Sequence, residues 1–84
     1  MDVEKLARMA NQIAENLQYG TQAEAVATAV DHLLRFWHPS MREQLAEAHA
    51  RGAVELTEVA ARAVETVMTP GVRPRKDEPG GDAG

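Results

Sequence analysis

The sequence predicts an all-α fold: a small bundle of three to four short helices over residues 1–68, followed by a disordered Pro/Gly-rich tail over 69–84. Three observations carry this reading. Large apolar residues recur at helical spacing. Each such stretch opens on a capping residue and closes on glycine or proline. The composition then breaks near residue 69: residues 1–68 hold one proline and two glycines, whereas 69–84 hold three prolines and four glycines, with Val72 the only large apolar side chain. A segment of that kind has too little to bury to offset its ordering entropy.

The first helix has Asp2 as its N-cap. Val3, Leu6, Ala10, Ile13 and Leu17 follow at alternating spacings of 3 and 4, with Met9 and Ala14 beside them, one face of a helix that Gly20 ends as a C-terminal cap. Thr21 and Glu24 form a capping box for the second helix, which carries Ala23, Val26, Val30, Leu33, Leu34 and Trp37 to the stop imposed on His38 by Pro39. The third helix starts at once, either from a Ser40–Glu43 capping box or with Pro39 as its first helical residue. Met41, Leu45 and Ala48 line its apolar face, and Gly52 ends it. Thr57 caps the fourth helix, with Leu56 placed as a hydrophobic staple and Val59, Ala63, Val64 and Val67 as the apolar side. Four acid–arginine pairs stand at i,i+4: Glu4–Arg8, Asp31–Arg35, Glu47–Arg51 and Glu58–Arg62. Each adds only ~0.2–0.5 kcal/mol to a helix, yet together they account for eight charges without any site.

Composition narrows the function classes. Hydrophobic residues make up 44% of the 84, but 15 of them are alanine, so the core is thin. The absence of cysteine excludes a disulfide scaffold, a thiolate metal site and a thiol enzyme. A thin core without a staple points to burial against a partner. The net charge of −4 offers no basic patch for nucleic acid or an anionic membrane. The opening Met1-Asp2-Val3-Glu4-Lys5 does not resemble a signal peptide, and no apolar run approaches the ~20 residues that span a bilayer. The expected location is the cytoplasm.

The residues offer no catalytic or cofactor set. His32, His38 and His49 are separated by 6 and 11 positions, so no pair has the helical i,i+3 or i,i+4 spacing of a metal site. Glu43 and Glu47 lie one turn apart in a polar stretch, where a solvated face explains them. Ser40 is the only serine and reads as a helix cap, and the isolated Gly20 and Gly52 make no phosphate loop. The expectation is a chain that is not itself an enzyme and holds no metal or cofactor.

The aromatic pair is the informative feature. With about 100° between consecutive helical residues, Ala23, Val26, Val30, Leu34 and Trp37 form one stripe, and Phe36 falls roughly 110° from its centre. Leu33 bridges the two directions. Either the third helix folds back over Phe36, or Phe36 belongs to a second apolar surface. Aromatics, methionine and arginine are enriched at interfaces, so the candidate partner surface comprises Leu33, Phe36, Trp37, Pro39, Met41 and Arg42.

Met9-Ala10-Asn11-Gln12-Ile13-Ala14, followed by Phe36-Trp37-His38-Pro39-Ser40-Met41-Arg42, resembles the delta subunit of NAD-dependent formate dehydrogenase over roughly residues 4 to 67. The resemblance implies a short, cofactor-free helical accessory subunit of the cytoplasmic molybdenum- or tungsten-containing enzyme. It implies binding to the catalytic alpha subunit, which holds the pterin-bound metal, in a stabilising or assembly role, with no residue of this chain touching formate. The alternative is a small acidic helical regulatory or adaptor protein that acts through homo- or hetero-oligomerisation.

Overall fold

The computed structural model describes residues 2–17 and 20–73. Four helices are present: α1 (Val3–Asn16), α2 (Gln22–Phe36), α3 (Pro39–Ala50) and α4 (Glu58–Val67), with no strand among the described residues. Helix starts follow local capping chemistry. Asp2 accepts the Glu4 N–H at 3.0 Å and opens α1. Thr21 and Glu24 close a full capping box on α2, with the Thr21 N–H donating to Glu24 Oε1 at 2.8 Å and the Glu24 N–H to Thr21 Oγ1 at 3.1 Å. Thr57 accepts the Ala60 N–H at 3.2 Å and opens α4.

One local expectation is decided between its two alternatives, in favour of Pro39 as the first helical residue of α3, and one is corrected. The cap of α3 is His38, not Ser40: His38 Nδ1 accepts the Ser40 N–H at 3.2 Å, and Pro39 is the first helical residue. Proline's fixed φ is already helical at that position, which moves the cap one residue upstream. Gly20 does not cap α1, which ends at Asn16 with Leu17 as its C-cap. Gly20 instead sits just before the α2 capping box with φ +68°, and a Cβ there would collide with Glu24 Oε1. Gly52, by contrast, does end α3 as expected. Its N–H donates to the His49 carbonyl at 3.1 Å and the Ala53 N–H to the Ala48 carbonyl at 2.9 Å, the paired bonds of a Schellman motif.

The core takes Leu6, Ala7, Ala10 and Ala14 from α1, Ala25, Ala29, Val30 and Leu33 from α2, Leu45 from α3, and Val59, Ala60, Ala63 and Val64 from α4, with Trp37 closing it. Of the fifteen buried hydrophobic residues eight are alanine, and no polar or charged residue is buried among the described ones. Alanine on packed faces lets helix axes approach closely. The most extensive packing joins α2 to α4, and α1 lies against the other three helices. The buried face of α2 is accordingly centred on Ala25, Ala29 and Leu33, while the expected core residue Ala23 is exposed and Val26 and Leu34 are half-buried.

Cross-helix ties complete the frame. Asn11 of α1 clamps the α3–α4 connection from both sides of its amide: Nδ2 donates to the Glu55 carbonyl at 3.0 Å, and Oδ1 accepts the Thr57 N–H at 2.8 Å. His49 of α3 meets Glu65 of α4 at 2.8 Å. Of the four expected i,i+4 ion pairs, Asp31–Arg35 and Glu58–Arg62 close. Of the expected tail, residues 69–73 follow no helix or strand and bring Val72 against the core, while 74–84 lie outside the described residues.

Candidate interaction surface

The α2–α3 break is built from three constraints. Pro39 disfavours helical geometry at the residue before it, and Trp37 (φ −93°, ψ 138°) and His38 (φ −63°, ψ 142°) are both extended. The extended step swings the Trp37 indole into the core, where it is 6% exposed, although the adjacent Phe36 is 71% exposed. Arg42, in the first turn of α3, then reaches back to the end of α2. Its Nη1 donates to the Trp37 carbonyl at 2.7 Å and to the Leu33 carbonyl at 3.2 Å. The Trp37 carbonyl lies beyond the last helical turn, and the Leu33 carbonyl, which already accepts the Trp37 N–H, has a second lone pair to offer; a cation beside them also meets the negative end of the helix dipole.

Phe36 is exposed for a reason that helical projection misses. The observed α2 face is rotated towards it, so Phe36 stands only roughly 40° from the centre of the buried α2 side chains. It is uncovered because it is the last residue of α2 and α3 does not fold over it. Within α2 it touches His32, the two rings lying 4.8 Å apart at 48°.

Between Phe36 and α1 lies a groove of about 410 Å³, lined by Met9, Gln12, Ile13 and Asn16 of α1, His32 and Phe36 of α2, Trp37, and Met41 of α3. Among the described residues that line it, none is an aspartate, glutamate, lysine or arginine. Met9, Ile13 and Met41 are half-buried, their inner sides against the core.

The six residues singled out in the sequence therefore divide. Phe36 and Pro39 are exposed and Met41 is half-buried. Leu33 and Trp37 are spent on the core, 3% and 6% exposed, and support the surface from beneath. Arg42 is half-buried and committed to the α2 carbonyls. The α1 wall was missed by sequence reasoning. Its signal was the width of the α1 apolar face: Met9 and Ile13 exceed what a stripe through Leu6, Ala10 and Ala14 needs.

A larger cleft of about 680 Å³ lies where α2 and α4 begin beside α1, among Arg8, Asn11, Glu15, Thr21, Thr57 and Glu58. Its central polar groups, Thr21, Thr57 and Asn11, already serve caps and the loop clamp. Among the described residues no group of three His, Asp or Glu side chains is placed to hold a metal ion. Glu43 and Glu47 are exposed. No described helix is long and apolar enough to cross a membrane.

The family model of the NADH-dependent formate dehydrogenase delta subunit, FdsD, matches residues 5–64, well over half of the chain. The chain belongs to the FdsD family. The match takes in all of α2 and α3 and most of α1 and α4, and hence every described residue of the groove. The FdsD match stops short of the end of α4 and the segment beyond it. No curated protein and no solved structure matches the chain.

Proposed function

We propose that this chain is a non-catalytic accessory subunit of a cytoplasmic formate dehydrogenase, and that it binds the catalytic alpha subunit to stabilise it or help assemble it. Membership of the delta-subunit family supports the complex. The observation that carries the binding surface is Phe36, a large aromatic left 71% exposed at a break that Trp37, Pro39 and Arg42 hold in place. An exposed aromatic anchor beside methionines, with a fixed backbone beneath it, has the make-up of a binding hot spot.

The test is titration of the full-length chain against the purified catalytic subunit. Phe36→Ala is expected to weaken the complex by about 2 kcal/mol, or about 30-fold, with the helical content of the free chain unchanged. Unchanged affinity for the Phe36→Ala chain would place the partner surface elsewhere.

A further inference from the structure

The groove beside Phe36 has features that restrict what can fill it. Its walls come from three elements: Met9 and Ile13 of α1 face Phe36 of α2 and Met41 of α3. Charged residues are 26% of the chain, yet among the described residues no acidic residue, lysine or arginine lines this groove. A charge driven against methionine, isoleucine and phenylalanine would lose its hydration with no counter-charge to replace it. An occupant complementary to these walls is uncharged where it enters.

The rim adds direction. Gln12 and Asn16 stand at i,i+4 on α1, and neither side chain has a hydrogen-bond partner among the described residues. Asn11 on the same helix has both halves of its amide engaged. Four helical residues advance about 6 Å along an axis. Alternate residues of an extended chain are about 6.6 Å apart. Two neutral amides at that spacing match the peptide groups that an extended chain presents on one side. Each amide offers both a donor and an acceptor, as a backbone requires.

We propose that the groove takes an extended, uncharged segment of the partner subunit, with one large apolar side chain inserted between Met9 and Ile13 on one wall and Phe36 and Met41 on the other, and with its backbone hydrogen-bonded by Gln12 and Asn16. This rests on the proposed function, since it takes the partner to be the catalytic subunit. It adds α1 to the surface and assigns the form of what docks. The flexible methionines adapt to the inserted side chain, while Phe36 supplies a rigid face.

The experiment compares full-length Phe36→Ala and Gln12→Ala/Asn16→Ala chains in titrations with the catalytic subunit, with helical content checked by circular dichroism. A photo-crosslinking residue at position 13 reports the occupant. The expected result is a loss of about tenfold or more for the amide double variant, together with a crosslink to a stretch of the catalytic subunit free of Asp, Glu, Lys and Arg. If the double variant binds as tightly as the parent while Phe36→Ala is weakened, the extended-segment inference fails and the proposed function stands. If neither variant is weakened, both fail. A crosslink to a second copy of this chain, or to a charged segment, overturns the inference.

Discussion

Arg42 Nη1 holds the Trp37 carbonyl at 2.7 Å, and through it the start of α3 is tied to the end of α2. The same nitrogen reaches the Leu33 carbonyl at 3.2 Å, which also accepts the Trp37 N–H at 3.1 Å. A residue that looked on sequence grounds like a charged contact for a partner is thus a side-chain cap for a helix C-terminus.

Arg42→Met keeps most of the aliphatic stem and removes both bonds. It is expected to lower the stability of the chain by about 1–3 kcal/mol, since hydrogen bonds from charged donors are worth more than neutral ones. Urea melts of the two chains measure this directly. Arg42→Lys keeps the charge but not the planar fork, and should recover only part of the loss.

Trp37→Ala removes a core side chain that is 6% exposed and is expected to cost roughly 3–5 kcal/mol. Phe36→Ala in the free chain should cost within about 1 kcal/mol, because the ring is largely solvated. Equal losses in thermal melts of the two variants would mean that Phe36 is packed in solution.

Gly20 and Gly52 both have positive φ, +68° and +70°, but only the Gly20 site is occupied, by the Glu24 carboxylate. Alanine at either position carries the left-handed penalty of roughly 1–2 kcal/mol. Gly20→Ala should cost about 0.5–1.5 kcal/mol more, because displacing Glu24 also breaks its bond to the Thr21 N–H. In a Glu24→Ala background that excess should vanish, a coupling that a double-mutant cycle by chemical denaturation would read.

Asn11→Ala releases the α3–α4 connection at both Glu55 and Thr57. The expected cost is about 1–3 kcal/mol. Amide hydrogen exchange gives the sharper readout: the Thr57 N–H should lose protection far more than the amides in the middle of α2.

Much of the architecture was legible because it is local. Asp2, the Thr21–Glu24 box and Thr57 act on backbone groups two or three residues away, so the sequence pattern contains both partners. The sequence left two starts open for α3 because two local signals overlap there, and proline's fixed φ prevailed over the serine–glutamate spacing. The burial of Trp37 also followed from the sequence, whereas for Phe36 the sequence left cover by α3 and exposure both open, and the structure decides for exposure. Projection around an axis placed Phe36 away from the apolar stripe, whereas the real α2 face turned towards it and the ring escapes burial only by its position at the helix end.

The sequence by itself determined a bundle of three to four helices, the caps that open α1, α2 and α4, and an aromatic pair just ahead of a proline break. Capping, periodicity and proline sterics act within a few residues along the chain, so the string of residues carries them in full. Only the tertiary structure decided which side of each helix is covered. Alanines make a weak hydrophobic signal in the sequence but allow the closest approach of backbones, so the packing of α2 on α4 centred on Ala25 and Ala29 and left Val26 at the margin. The groove is likewise a product of packing. Met9 and Ile13 are separated from Phe36 and Met41 by more than twenty residues, and only the placement of α1 beside the α2–α3 break brings them to one surface.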